Sequence, residues 1–434
     1  MKTLTCWRRG RRPTIAMRRA ARVALLTVGT TSGLVACGTR APAPIADSLA
    51  VTETPYPHAA EPIGTVREIY DGVLTPEMAI NTFRNIDRLF PTRTIARSAT
   101  PRALPPAARS LGALSFTDSG KTYALDDYFR LNRIAAMLVL NDGKVALERY
   151  QYGNTERTRW MSMSVAKSVT STLIGAAVHD GKIRGLDDSV TRYVPALKGS
   201  AYEGVSIRDV LMMASGVKWD ETYTDPNSDR RHLLEAQIAQ TPGAAMAVMA
   251  KLPRAAAPGT RNNYSTGETQ VVGEIVRGAV GEPLATYLSR KIWQPMGMEA
   301  DAKWWLDSPD GMEIGGSGIS ATLRDCGRFG LFILNDGVID GRRVLPEGWV
   351  REAGSPKVLR GGTPLPYGYM WWTAESEADK RDGAFAAEGI HGQYIYINPA
   401  AKVVIVVWGA RPHPVRGAVV NDMAVFDAVV EALR

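Results

Sequence analysis

The chain predicts an α+β fold in which one antiparallel sheet is assembled from distant parts of the sequence. Three observations carry this. Ile134–Leu140 is an apolar run that meets Asn141-Asp142-Gly143, a strong turn signal, and the chain returns over Val145–Tyr150, which is the pattern of a hairpin. Near the other end Gln393–Ile397, a turn at Asn398-Pro399 and Val403–Trp408 repeat it. Between them, residues 195–315 read as loops and short helices, a largely helical lobe. Strands at both ends around a helical middle suit a sheet flanked by helices.

The N-terminus reads as an address label rather than as part of the fold. Residues 1–22 hold Lys2 and seven arginines with no acid, and Val23–Ala36 is uncharged, mostly apolar and short for a stable membrane span. The run ends in Leu34-Val35-Ala36-Cys37, the pattern of a bacterial lipobox, with cleavage before Cys37 and lipid on its sulfur. An ordinary secretory signal with a coincidental cysteine is the competing reading, and Met17 is an alternative start. The expected organisation is a signal peptide over 1–36, an Ala/Pro-rich tether over 37–62, a helical lead-in over 63–115 and the main domain over 116–434. A lipidated Cys37 would hold the protein to a membrane in the cell envelope, facing the periplasm.

Composition excludes several classes. The net charge of +8 arises from 52 basic and 44 acidic residues, and the eight basic residues of the label account for the whole excess. The remainder is neutral, so nucleic-acid binding loses its electrostatic support. Of Cys6, Cys37 and Cys326, only Cys326 would remain as a free thiol in the processed protein, most simply a buried helix residue, and no disulfide framework exists. Five scattered histidines lack metal-site spacing, so no metal is expected. They also give little to a histidine-based triad, and no Gly-x-Ser-x-Gly elbow occurs.

Further elements follow in order. Thr75-Pro76-Glu77 opens a segment of helical period within the lead-in. Ser164 heads an apolar helix to His179, with Val165, Val169, Leu173 and Ile174 on or near one face and Asp180-Gly181 ending it. Helices are expected at 207–214, 268–280 and 284–294. Thr322-Leu323-Arg324-Asp325 reads as a capping box before 323–334, and a last helix starts near Asp422.

Ser164-Val165-Ala166-Lys167 carries the chemistry. A lysine three residues after a serine lies on the same helical face, and a serine hydroxyl becomes nucleophilic when a neighbouring base takes its proton. Lys167 can be that base only if burial or cationic neighbours lower its pKa far below about 10.4. A second match, Ser215-Gly216-Val217-Lys218, contains a glycine that argues against a helix. The bland alternative is that Ser164 caps the helix and Lys167 faces solvent.

Ser164-x-x-Lys167, then Tyr264-Ser265-Thr266, then Gly389-Ile390-His391-Gly392-Gln393 before a hairpin, follow the motif order of serine β-lactamases and penicillin-binding proteins. The chain from about 120 to 434 resembles the class C β-lactamase-like hydrolases, the group that includes esterases and nylon-oligomer (6-aminohexanoate-dimer) hydrolases. Met163–Ser168, Tyr223-Thr224-Asp225-Pro226 and Trp371-Trp372 match in order as well. The resemblance implies a serine β-lactamase/penicillin-binding-protein-like fold, no cofactor, a small amide or ester substrate, and an acyl-enzyme on Ser164. It implies that Lys167 and Tyr264 share the proton transfers and that the N–H groups of Ser164 and Ile390 form the oxyanion hole. It places Tyr223, Trp372 and His391 at the substrate, with packing aromatics and a satisfied strand histidine as the plainer readings. Thr266 stands where β-lactamases usually carry asparagine, and the third motif lacks its lysine in either register, Ala387-Glu388-Gly389 or Ile390-His391-Gly392. Strong β-lactamase activity is therefore not expected, and linear amides and esters remain. A short-chain carboxylesterase, a cell-wall peptidase and a non-catalytic binding lipoprotein are the alternatives.

Overall fold

The computed structural model describes residues 55–434 except Arg416, so Cys37, the signal segment and most of the expected tether lie outside the described residues. Pro55–Arg434 form one compact unit. Its main sheet has six antiparallel strands: β1 (Ile134–Asn141), β2 (Lys144–Tyr150), β3 (Trp372–Thr373), β4 (Phe385–Gly389), β5 (Gln393–Asn398) and β6 (Val403–Gly409), in the spatial order β3-β4-β5-β6-β1-β2. The last long strand pairs with the first, Val404 opposite Leu140 and Val406 opposite Leu138, so the sheet closes only when both ends of the chain meet.

The apolar runs in β1 and β6 are continuous rather than alternating because both faces of the sheet are covered. Met137, Val139, Ile405 and Val407 pack with Phe426 and Val429 of the C-terminal helix Asp422–Leu433. Leu138, Leu140, Val404 and Val406 face the other way, into the core shared with helix Leu323–Leu334. That helix lies close because a Cβ on Gly327 would sit 2.5 Å from Leu138, and one on Gly330 would sit 2.4 Å from Val404. Thr322 caps it, accepting from the Asp325 amide.

A second, four-stranded sheet was not legible in the sequence. Its order is Thr92–Ile95, Ala302–Trp305, Ile319–Thr322, Arg159–Met161. Two expectations change accordingly. The lead-in is helical at Val66–Asp71, Pro76–Arg84 and Ile86–Arg88, but Thr92–Ile95 is an edge strand, its β-branched residues paired with Ala302–Trp305. The end of the expected tether is also folded: the Tyr56 hydroxyl donates to the Arg84 carbonyl at 2.6 Å, and His58 is buried with Nε2 3.1 Å from Thr158 Oγ1. The lobe over 195–315 is helical through Thr266–Val280, Leu284–Leu288 and a π turn at Ser289–Trp293, then supplies the strand Ala302–Trp305. No described helix is long and apolar enough to cross a membrane.

Candidate active site

Strand Arg159–Met161 of the second sheet runs straight into helix Val165–His179, and Ser164 sits at the junction. Met163 takes the left-handed conformation, φ +42°, which turns the chain sharply before the serine. The turn is pinned by the Ser162 amide donating to the Ile319 carbonyl at 2.8 Å. Ser164 occupies the N-cap position yet makes no side-chain capping bond. Its hydroxyl instead lies 2.8 Å from Lys167 Nζ.

The helix was expected to show one apolar face; it is buried nearly all round. Its hydroxyls reach backbone carbonyls, Ser168 to Met370 at 2.6 Å and Thr170 to Gly315 at 2.7 Å. Lys167 is 2 % exposed, with Nζ also 3.1 Å from the Gly316 carbonyl. Gly315 and Gly316 allow that approach. A Cβ on Gly315 would lie 2.5 Å from the Thr269 carbonyl oxygen, and one on Gly316 would lie 2.9 Å from Thr266 Cγ2. Burial, helped by the Arg230 charge and opposed by Glu221, lowers the Lys167 amine to about 7.

Helix Thr266–Val280 begins two residues after Tyr264, whose side chain lines the same cavity as Ser164. Burial and the nearby Glu221 raise the Tyr264 phenol above its ordinary range. The ring stacks on Trp372, centroids 5.5 Å apart and planes at 28°, and Lys167 Nζ is 5.2 Å from its centroid. Ser164, Lys167 and Tyr264 therefore meet as the motif order implied, although they come from two helices separated by a hundred residues.

The amides of Ser164 and Ile390 donate to no carbonyl among the described residues, so both are free for an oxygen at the cavity wall. They come close because β4 ends in glycine: a Cβ on Gly389 would lie 2.8 Å from the Ser162 carbonyl oxygen and 3.1 Å from the Ser164 nitrogen. A cavity of about 410 Å³ opens here, lined by Ser164, Tyr264, Tyr223, Trp372, Glu388 and Ile390 among others. Tyr223 and Trp372 thus lie at the cavity, as expected.

His391 does not. With φ +64° its backbone turns the ring away, and it is 2 % exposed, with Nδ1 2.8 Å from the Arg411 carbonyl and its centroid 5.0 Å from that of Phe83. Burial lowers its imidazole to about 4, so it is a neutral packing residue behind the loop that carries Ile390. The placement of His391 at the substrate is corrected on this ground. The second tetrad separates too: Gly216 has φ +76°, Lys218 is exposed, and the Ser215 hydroxyl donates to the buried Glu268 carboxyl.

Sequence reasoning missed Glu221 and Arg230. The Thr266 amide donates to Glu221 Oε2 at 2.8 Å, and the Thr266 hydroxyl and Trp219 Nε1 also donate to this carboxylate, which anchors it at a helix N-terminus beside the site. Arg230 is buried with its guanidinium 4.3 Å from the Tyr70 ring. Neither belongs to a spaced motif: the start of helix Thr266–Val280 holds Glu221 near the serine, and packing against Tyr70 of the lead-in holds Arg230.

The chain is similar to known hydrolases over most of its length. The Beta-lactamase family model matches residues 133–430. The 6-aminohexanoate-dimer hydrolase of Paenarthrobacter ureafaciens is 30% identical over 348 residues, 76% of this chain and 85% of that protein. A Bacillus anthracis structure provisionally named a 6-aminohexanoate-dimer hydrolase superposes with a TM-score of 0.71 at 23% identity, covering 81% of this chain and 92% of that one. A family VIII carboxylesterase shares the fold with a TM-score of 0.54 at 16% identity, over 71% of this chain and 95% of that one. A serine placed at a helix N-terminus against a buried lysine is thus found in a chain that belongs to the Beta-lactamase family of serine hydrolases.

Proposed function

We propose that the protein cleaves a linear amide or ester through an acyl-enzyme on Ser164, with a substrate like that named for its Paenarthrobacter relative. The observation that carries this reading is the buried Lys167 amine 2.8 Å from the Ser164 hydroxyl. Neutral Lys167 takes the hydroxyl proton as Ser164 Oγ attacks the acyl carbon. The oxygen that becomes negative receives hydrogen bonds from the Ser164 and Ile390 amides. The Tyr264 phenol, kept protonated by its surroundings, gives its proton to the departing nitrogen or oxygen and regains one from the Lys167 ammonium. Water then hydrolyses the acyl-enzyme by the reverse proton path. Tyr223 and Trp372 hold the substrate, and a carboxylesterase is the second reading because Trp372 and Tyr264 leave an aromatic wall suited to an acyl chain.

The protein is also proposed to be a lipoprotein of the cell envelope, anchored through Cys37 and facing the periplasm; the basic and apolar leader ending in Leu34-Val35-Ala36-Cys37 supports this.

The deciding assay is hydrolysis of a short p-nitrophenyl ester, a 6-aminohexanoate dimer and a chromogenic cephalosporin by protein starting after Cys37, each repeated with Ser164→Ala. Ester or dimer turnover lost in the variant is expected, and equal rates in both proteins would refute the mechanism. Because Lys167 must be neutral to accept a proton, kcat/KM should rise with pH and level off above about 7. A profile flat from pH 5 to 9 (~two units either side of that value) argues against Lys167 as base. Gly389→Ala puts a methyl against the Ser164 amide; loss of one oxyanion donor costs about 2.7–4 kcal/mol, so kcat should fall by ~100-fold or more, and thermal stability should fall as well because the methyl also meets the Ser162 carbonyl oxygen at 2.8 Å. For the anchor, the full-length chain should fractionate with membranes and Cys37→Ser should not.

A further inference from the structure

Glu388 lies on β4, two residues before the Ile390 amide, and faces two cavities at once. It lines the one that holds Ser164, and it lines a neighbouring cavity of about 580 Å³. Trp372 and Tyr394 are the other residues common to both walls, so these three side chains stand between the two spaces. The second cavity carries Glu375, Asp379, Asp422 and Lys380 in its wall.

The charges there are unequal in their partners. Asp379 accepts from the Tyr396 hydroxyl. Asp422 is occupied by Tyr128, Tyr394, Asn132 and the Arg411 guanidinium. Lys380 is exposed and paired with Glu377 at 2.8 Å. Glu388 is half-buried and receives no hydrogen bond from any described residue. A half-buried carboxylate at a cavity wall with no protein partner is stabilised by a donor or an opposite charge brought to it. Its environment agrees: burial, with Asp422 and Glu375 nearby, raises Glu388 to about 7. The cation facing it from the neighbouring strand end, Arg411, is already engaged by Asp422.

We propose that the two cavities form one substrate channel in which Glu388 is the specificity-determining residue, receiving the ammonium of a cationic substrate arm. The inference rests on the serine hydrolase reading for what happens at Ser164, and it adds which substrates reach that residue. A linear amide with a free primary amine at one end fits: its reacting carbonyl lies at Ser164 and its apolar chain runs past Trp372 and Tyr394. Its ammonium then ends in the charge-assisted hydrogen bond that Glu388 lacks.

The test measures binding, so it is independent of turnover. Ser164→Ala protein is titrated calorimetrically with pairs of linear amides that differ only in a terminal primary amine or methyl group. One pair carries the difference on the acyl arm and one on the leaving arm. The amine-bearing member of at least one pair should bind ~10-fold or more tightly, and Glu388→Gln in the same background should remove that preference. Glu347→Gln, an exposed carboxylate outside both cavities, should leave it in place. Equal binding within both pairs overturns the proposal, as does a preference that survives Glu388→Gln or disappears in Glu347→Gln. If Glu388→Gln does not fold, Glu388→Met takes its place and must remove the same preference. Turnover of the methyl-terminated ester analogue by the Ser164 enzyme, measured in parallel, reports on the hydrolase reading alone.

Discussion

The site depends on keeping one lysine amine out of water. Lys167 sits in the first turn of a helix whose entire circumference is covered, and its amine is closed in by Tyr264, the Gly316 carbonyl and Ser164. An ammonium in such surroundings loses solvation that two neutral hydrogen-bond partners do not fully replace, which is why its pKa falls toward neutrality. The same enclosure raises the Tyr264 phenol, so burial, the largest influence on both, favours a neutral amine beside a protonated phenol. Glycines at 315 and 316 make that enclosure possible, because any side chain there would push the turn away from helices Val165–His179 and Thr266–Val280.

The N-terminal segment belongs to this machinery. Tyr70 packs its ring 5.9 Å from that of Tyr223 and receives a hydrogen bond from Arg230, while Asp71 pairs with Arg231 at 2.6 Å. Phe83 packs on both Trp160 and His391. The segment thus holds the loop carrying Tyr223 from one side and the loop carrying Ile390 from the other. His391 gains its purpose here: a neutral ring wedged between Phe83 and the Arg411 carbonyl fixes the backbone that presents the Ile390 amide. Gln393 extends the brace, accepting from Trp160 Nε1 at 3.0 Å and donating to the Gly409 carbonyl at 2.8 Å.

Two charge arrangements surround the reacting groups and do different work. Glu221, held by Thr266 and Trp219, sets the field felt by Lys167, Tyr264 and Tyr223 without needing a substrate. Glu388 has no such partner and looks along the cavity. The difference follows from their neighbours: a helix N-terminus satisfies the first, and a place near the end of β4, close to Asp422 and Glu375, leaves the second with like charge beside it.

What the sequence by itself determined were features written in local patterns. The hairpins at 134–150 and 393–408 were legible because turn residues and apolar runs are adjacent in the chain, and so was the helix after Ser164. The ordered motifs at Ser164, Tyr264 and Ile390 were legible because three short signals in one order are improbable together. The tertiary structure alone decided the second sheet, whose four strands are short and drawn from residues 92–322, so that no local pattern pairs them. It alone decided that His391 faces Phe83 and not the substrate, since a single left-handed residue reverses the direction of a side chain. And it alone decided the ionisation of Lys167 and Glu388, because a pKa is set by the water and charge excluded around a group, and those neighbours come from every part of the chain.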